Sequence, residues 1–358
     1  MTPRERFLGV ADGTLTNHLY LALNLNVGWF MEETLERWHG EGLQEGADLA
    51  ERFGLDRVCF TGGAPYSPMP AFDEEVLSED AETRVVRDRL GAVLRVFKRD
   101  TASKMPQWLE YPIKTRDDWL TFRERLDPNT PARYPKDWDE FERKWAEREE
   151  PLGLAPGSFF GHTLQRWVGT EHLCILLCEQ PEFVHEMMEY LEGFFLALIK
   201  PFLERAQFDF ASFGEDIAYK GRSFISPRMF REFIQPHYRS ITSAIRANGV
   251  RTIFVDSDGC IDELIPLWME VGINGFSPLE IAAGTDPLAL KREYGRDIVL
   301  AGGIDKRALA RGKDAIDAEV EKAKRLLELG GYFPMVDHST PPDVPLWAFE
   351  HLLEGLRG

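Results

Sequence analysis

The second half of the chain alternates two patterns. Short apolar runs bounded by Gly, Asp and Pro read as buried strands, and longer stretches with apolar residues at helical spacing read as helices. The strands are 152–161, "FDFASFGED" (208–216), "VRTIFVDSDG" (250–259), 273–280, "DIVLAGGID" (297–305) and 331–343. Between them fall helices at 182–206, 226–249, 260–272, 286–295 and 313–330, with a closing helix after 343. The 226–249 helix opens on a Ser-Pro cap, contains Pro236 and ends at Gly249. Strands that alternate with helices, without hairpins, must run parallel. At least six such units fit here, and two more from residues 1–150 would close an eight-stranded barrel. The predicted fold is therefore an α/β class (β/α)8 TIM barrel with an N-terminal β-hairpin and helical extensions, in a single domain spanning 1–358.

The first 150 residues are less regular. "EETLERWHGEGL" (32–43) and "TRDDWLTFRERL" (115–126) have helical spacing, the second behind a Thr cap. "GAVLRVFKRD" (91–100) followed by "QWLEYPIKT" (107–115) alternates as a hairpin or meander does. An open doubly wound sheet is the competing architecture. It lacks support, because no Gly-rich phosphate fingerprint follows an early strand.

Composition narrows the function classes. The 358 residues carry a net charge of −18, which disfavours nucleic acid and anionic membranes as partners. The longest apolar stretch, 193–203, is interrupted by Lys200 and Pro201 and is too short to span a bilayer. Cys59, Cys174, Cys178 and Cys260 form no CxxC pair, so a disulfide framework is not expected. A cytoplasmic enzyme is the expectation.

Chemistry gathers at the strand ends. In a barrel of this kind the C-terminal ends of the strands share one mouth. Here those ends carry Glu215-Asp216, Asp256-Ser257-Asp258, Glu280 beyond Ser277-Pro278, Gly303 with Asp305, and Asp337-His338. Each has a plainer reading: Asp256, Asp258 and Asp305 suit helix caps or turns. Glu215 and Asp216, followed by Tyr219 and Lys220, offer proton acceptors and donors. His338 sits in a Pro-bounded loop, whereas His185 and His351 fall on helices as filler. Crowded carboxylates need positive charge nearby. Protein cations (Lys220, Lys306, Arg307, Arg166) supply it in one reading. In the other, a divalent metal such as Zn2+ is held by Asp256, Asp258 and His338. Trp29, Phe159, Phe160 and Trp167 are candidates for an apolar wall, with Arg166, Glu280, Gly303 and Asp305 as further substrate contacts.

At these residues the sequence resembles the uroporphyrinogen decarboxylase superfamily. The resemblance is carried by "SFGEDIAYKGRSFISPRMFREFIQPHYRSI", "FVDSDGCIDELIPLWMEVGINGFSPLE", "LAGGIDKRALARG" and "GGYFPMVDHSTPPDV". It implies a (β/α)8 barrel and either decarboxylation or corrinoid-linked methyl transfer. The Arg-rich N-terminal segment that such decarboxylases use for a polyacidic porphyrinogen is replaced by "TNHLYLALNLNVGW" (16–29). Where zinc-binding, thiol-methylating relatives carry His-x-Cys, this chain has Asp256-Ser257-Asp258; hard oxygens replace soft thiolates. The first expectation is thus a corrinoid-linked methyltransferase of small methylated compounds. In it the metal or His338 polarises the leaving atom, and the corrinoid arrives on a separate protein. The second is a metal-free lyase acting on a carboxylated substrate, a tetrapyrrole or smaller, with His338 and Tyr219 handling protons. The third is a non-catalytic binding module. Pairing of barrel helices into a homodimer is a further expectation.

Overall fold

The computed structural model describes residues 1–22, 30–61, 64–98 and 105–358. Its centre is a parallel sheet of seven strands: β1 (Cys59–Thr61), β6 (Leu152–Leu154), β7 (Phe210–Gly214), β10 (Thr252–Asp256), β11 (Gly275–Ser277), β12 (Val299–Ile304) and β13 (Tyr332–Val336), hydrogen-bonded in that order. Four more strands, β2 (Glu75–Glu79), β3 (Thr83–Arg87), β4 (Val93–Phe97) and β5 (Gln107–Glu110), form a separate antiparallel sheet. A two-stranded ribbon of β8 (Ala218–Tyr219) and β9 (Arg222–Ser223) completes the set.

Two expectations are corrected here. Among the described residues the sheet is an open half-barrel of seven strands surrounded by helices and not a closed ring of eight. Residues 1–150 were to supply two strands, and among the described residues they supply only β1. The N-terminal hairpin is instead a four-stranded meander, because β2 and β3 extend the pairing that 91–115 begins.

The helices follow local chemistry. Thr2 caps Pro3–Ala11, and Thr115 caps Arg116–Phe122, each closing a reciprocal box with the acid three residues on. The expected 226–249 helix is two: Pro227–Phe233, capped by the Ser226 hydroxyl, and Gln235–Ala247. Pro236 breaks it, since proline lacks an N–H and its ring crowds the preceding turn. The expected helix at 260–272 contracts to Ile265–Met269.

Strand residues are buried on both sheet faces, as parallel strands require. On the concave side Phe210, Phe254, Phe333 and Met335 pack with Phe7 and Tyr20, so helix Pro3–Ala11 plugs the floor. Phe7 lies 5.0 Å from the rings of both Phe210 and Phe333. Gly153 and Gly275 make room for those rings: an added Cβ would approach Phe210 and Phe254 to 2.4 Å. The convex side packs against the helices, including the buried face of Pro181–Leu203.

Register levels the strand ends. Gly214 pairs with Asp256, and Asp256 with Ser277, so their following loops leave the sheet at one height. Ile304 and Val336 end level in the same way. Asp256 shares its alternation with Phe254, which places it on the concave side just above the aromatic floor.

Candidate active site

Two histidine–aspartate pairs lie side by side on this rim. His162 Nε2 is 3.0 Å from Asp216 Oδ2, and His338 Nε2 is 3.2 Å from Asp258 Oδ2. The pairs are joined, because the Asp258 amide donates to Asp216 Oδ1 at 3.3 Å. Loops after β6, β7, β10 and β13 thus meet in one line. Each imidazole holds its proton above the ordinary pH range for histidine, His162 through the hydrogen bond it donates to Asp216 and His338 through the one it donates to Asp258. Burial pushes the Asp216 carboxyl upward, but the bond and charge of His162 win and hold it below the usual range. Asp216 also adopts a left-handed backbone, φ 36°. For a non-glycine residue this costs about 1–3 kcal/mol, offset here by its two hydrogen bonds, and such strain concentrates at working sites.

Beneath the line is Asp256. Burial, then the charges of Asp216 and Asp258, push its carboxyl well above the ordinary range, and Ser277 Oγ lies 3.0 Å away. Asp216 and Asp258 each have a histidine beside them and Asp256 has none, so the cluster favours the neutral form of Asp256.

Glu215 occupies another layer. It is fully buried and accepts from the amides of Phe159 (2.7 Å), Phe160 (2.8 Å) and Gly161 (3.1 Å), and from the Tyr238 hydroxyl. Burial raises its pKa against the pull of those four bonds. Its work is to fasten the 159–161 turn that carries His162. Gly161 is obligatory at this contact: a Cβ there would sit 1.9 Å from the Glu215 carbonyl oxygen.

The other sequence candidates divide plainly. Phe159 and Phe160 are core residues with no exposure. Trp167 is buried but forms one wall of a cavity. Tyr219 is half exposed on the β8–β9 ribbon and stacks on Phe224; Lys220 is exposed at the ribbon's turn. Glu280 joins the Gly259 amide (3.0 Å) to Lys306 Nζ (3.0 Å), tying two rim loops together. Asp305 caps the helix Lys306–Leu309 and binds the Arg307 guanidinium. Gly303 donates its amide to the Pro278 carbonyl. Asp337, fully buried, staples the amides of Ile281 and Lys306. Trp29 lies outside the described residues.

A metal needs three or more donors around one point. Of the three residues expected to hold one, His338 and Asp258 lie 3.2 Å apart at their nearest atoms, and Asp256 accepts from Ser277 at 3.0 Å. Among the described residues no three His, Cys, Asp or Glu side chains are so arranged.

Two adjoining cavities open beside the line. One, of about 290 Å³, is lined by Asp216, Asp258, Arg166, Gln165, Trp108 and Tyr111 among others. Its neighbour, of about 550 Å³, is lined by His162, Arg166, Trp167, Tyr66 and Leu90 among others. Sequence reading missed His162, which lies in "FFGHT" beyond the loop that follows β6. It also missed Trp108, which β5 brings to the rim from the meander.

Comparison with known proteins adds the family. No helix among the described residues is long and apolar enough to cross a membrane, and no curated protein matches the chain. Solved structures with some likeness include a B12-independent methionine synthase from Shewanella sp. W3-18-1 in complex with selenomethionine (12% identity, 97% of this chain and 94% of that one, TM-score 0.37). Others are a putative vitamin-B12 independent methionine synthase from Listeria monocytogenes (11%, 60% and 68%, 0.33) and the Penicillium canescens endo-1,4-beta-xylanase XylE (11%, 62% and 78%, 0.37). The family model described as "Uroporphyrinogen decarboxylase (URO-D)" matches residues 163–358, more than half of the chain. With that match spanning β7 through β13 and their rim loops, the chain belongs to the uroporphyrinogen decarboxylase family.

Proposed function

We propose that this protein is a lyase that removes CO2 from a small carboxylated substrate, using proton chemistry supplied by its own side chains. One observation carries the reading: two carboxylates facing a cavity, Asp216 and Asp258, are each backed by a histidine that stores a proton. Loss of CO2 breaks a C–C bond and leaves an electron pair on carbon. A conjugated ring or carbonyl of the substrate accepts that pair. The carbon must then gain a proton. In this reading the proton stored on His338 passes to Asp258 across their 3.2 Å contact as Asp258 delivers it to the carbon, and solvent reprotonates His338 afterwards. Asp216 and His162 form the matching pair on the other side, and neutral Asp256 keeps a third negative charge out of the cluster. The aromatic walls, Trp108 and Tyr111, suit a flat substrate and exclude water from the reacting carbon.

A panel of conjugated and aromatic carboxylates bearing 13C in one carboxyl tests the reading. Wild-type protein is expected to release labelled CO2 from at least one compound, and Asp258→Asn is expected to abolish release while folding normally. Release that survives in Asp258→Asn contradicts the assignment. Stoichiometric zinc, lost in Asp256→Ala, together with methyl transfer to a corrinoid protein, would replace it with the methyl-transfer reading.

A further inference from the structure

Arg166 is the cation most exposed to the two cavities and the least explained by the protein itself. It lines both, standing at the seam between them. Its guanidinium lies over the Trp108 ring at 5.4 Å, yet it makes no hydrogen bond or ion pair with any described residue. Its charge also helps to hold Asp216 ionised, but its five N–H donors have no hydrogen-bonded acceptor among the described residues, which leaves a position open for an anion. The two cavities differ in charge. The smaller carries the carboxylates Asp216 and Asp258; the larger carries His162 and no acid.

From this asymmetry we infer that the substrate is a conjugated or aromatic dicarboxylate: one carboxylate is retained and grips Arg166 on the His162 side, and the other departs beside Asp216 and Asp258. The inference rests on the lyase reading above and names its substrate class. The departing carboxylate is a poor partner for Arg166. Its charge vanishes as CO2 forms, so a guanidinium bound to it would stabilise the reactant more than the transition state. A retained carboxylate keeps its charge throughout, and Arg166 can hold it without slowing the reaction. It also supplies orientation: with one end fixed, the reacting carbon is carried across the seam to Asp258. Arg166 is thus a specificity-determining residue for the second carboxylate.

Binding and turnover separate the inference from the reading beneath it. Titration calorimetry with benzoate, a single carboxylate on a ring, reports the Arg166 position alone. Arg166→Met is expected to weaken benzoate by about 10–100-fold, the worth of a charge-assisted pair, and to leave neutral benzamide unchanged. Arg166→Lys, which keeps charge without the planar fork, is expected to fall between. Thermal unfolding of both variants should stay close to wild type, since the side chain makes no hydrogen bond to a described residue and its contact with Trp108 is at the cavity wall. With a 13C-labelled dicarboxylate that turns over, Arg166→Met should raise KM by a similar factor and leave kcat within about threefold. Benzoate binding unchanged in Arg166→Met overturns the anchor, and so does a fall in kcat with KM constant. If no carboxylate releases CO2 at all, the lyase reading fails, and the benzoate titration still decides whether Arg166 is an anion site.

Discussion

Gly161→Ala probes the joint on which the site depends. The turn after β6 is fastened by three amide bonds to the buried Glu215 carboxylate, and it delivers His162 to Asp216. An alanine Cβ at 161 would meet the Glu215 carbonyl oxygen at 1.9 Å and its carbonyl carbon at 2.3 Å. Both are backbone atoms, at the end of a paired strand, so the turn must move instead. Overpacking of this kind costs about 1–3 kcal/mol. Losing one amide bond to the buried Glu215 carboxyl costs about 1–3 kcal/mol more. A total of about 2–6 kcal/mol corresponds to a Tm lower by about 3–8 °C for a chain of this size. The functional consequence is separate. A shift of about 1 Å at His162 breaks its 3.0 Å bond to Asp216, and misplacement on that scale costs about 100-fold in rate. Denaturant unfolding measures the first effect, and an NMR pH titration of the His162 ring measures the second, with a midpoint falling toward the ordinary 6.5. Gly193→Ala is the control: it lies inside helix Pro181–Leu203, and a Cβ there meets nothing within 4 Å. If Gly161→Ala is as stable as that control and keeps the wild-type His162 titration, the proposed joint does not exist.

Three further outcomes follow from charge placement. Asp256 has a raised pKa in the fold, so its contribution is full below the unfolded value near 3.8 and is lost as pH rises through the folded one. Asp256→Asn, which mimics the neutral acid, should therefore gain stability relative to wild type with rising pH in denaturant unfolding. Lys291 is buried against the carbonyls of Ile298 and Gly295, and burial lowers its pKa from 10.5 to about 8. The difference is worth about 3 kcal/mol. That cost is complete below pH 8 and disappears by about pH 10.5, so the stability of Lys291→Met relative to wild type should fall by roughly this amount between those limits. Asp258→Asn should lower the His338 titration midpoint toward 6.5. The raised His338 pKa stabilises the fold below 6.5 and ceases to as pH rises through the folded value, so the variant's deficit should shrink with alkalinity.

The strand ends were the legible part of this site. Continuous apolar runs ending in acids marked β7, β10 and β13 in the sequence, and parallel register brings Asp216, Asp258 and His338 together. Alternation also explains Asp256, which takes the concave side by counting from Phe254. Other features lay beyond the sequence for physical reasons. Glu215 and Asp216 are adjacent, yet one turns into the core to accept four donors and the other turns to the cavity. No local pattern distinguishes the two, because the deciding partners, Phe159–Gly161 and Tyr238, are distant in sequence. His162 follows a three-residue strand, β6, too short to advertise its end as the acidic ones do. Trp108 reaches the cavity from the antiparallel meander, whose position on the rim is a matter of packing.

The central claim is that His162, Asp216, Asp258 and His338 form one connected line facing one substrate cavity. An NMR pH titration of 15N-labelled histidine, with and without saturating benzoate, tests it most directly. Both His162 and His338 should titrate above 6.5, and both should shift when benzoate enters the cavities. A midpoint at or below 6.5 for either ring, or a response to benzoate confined to neither or only one of them, would contradict it.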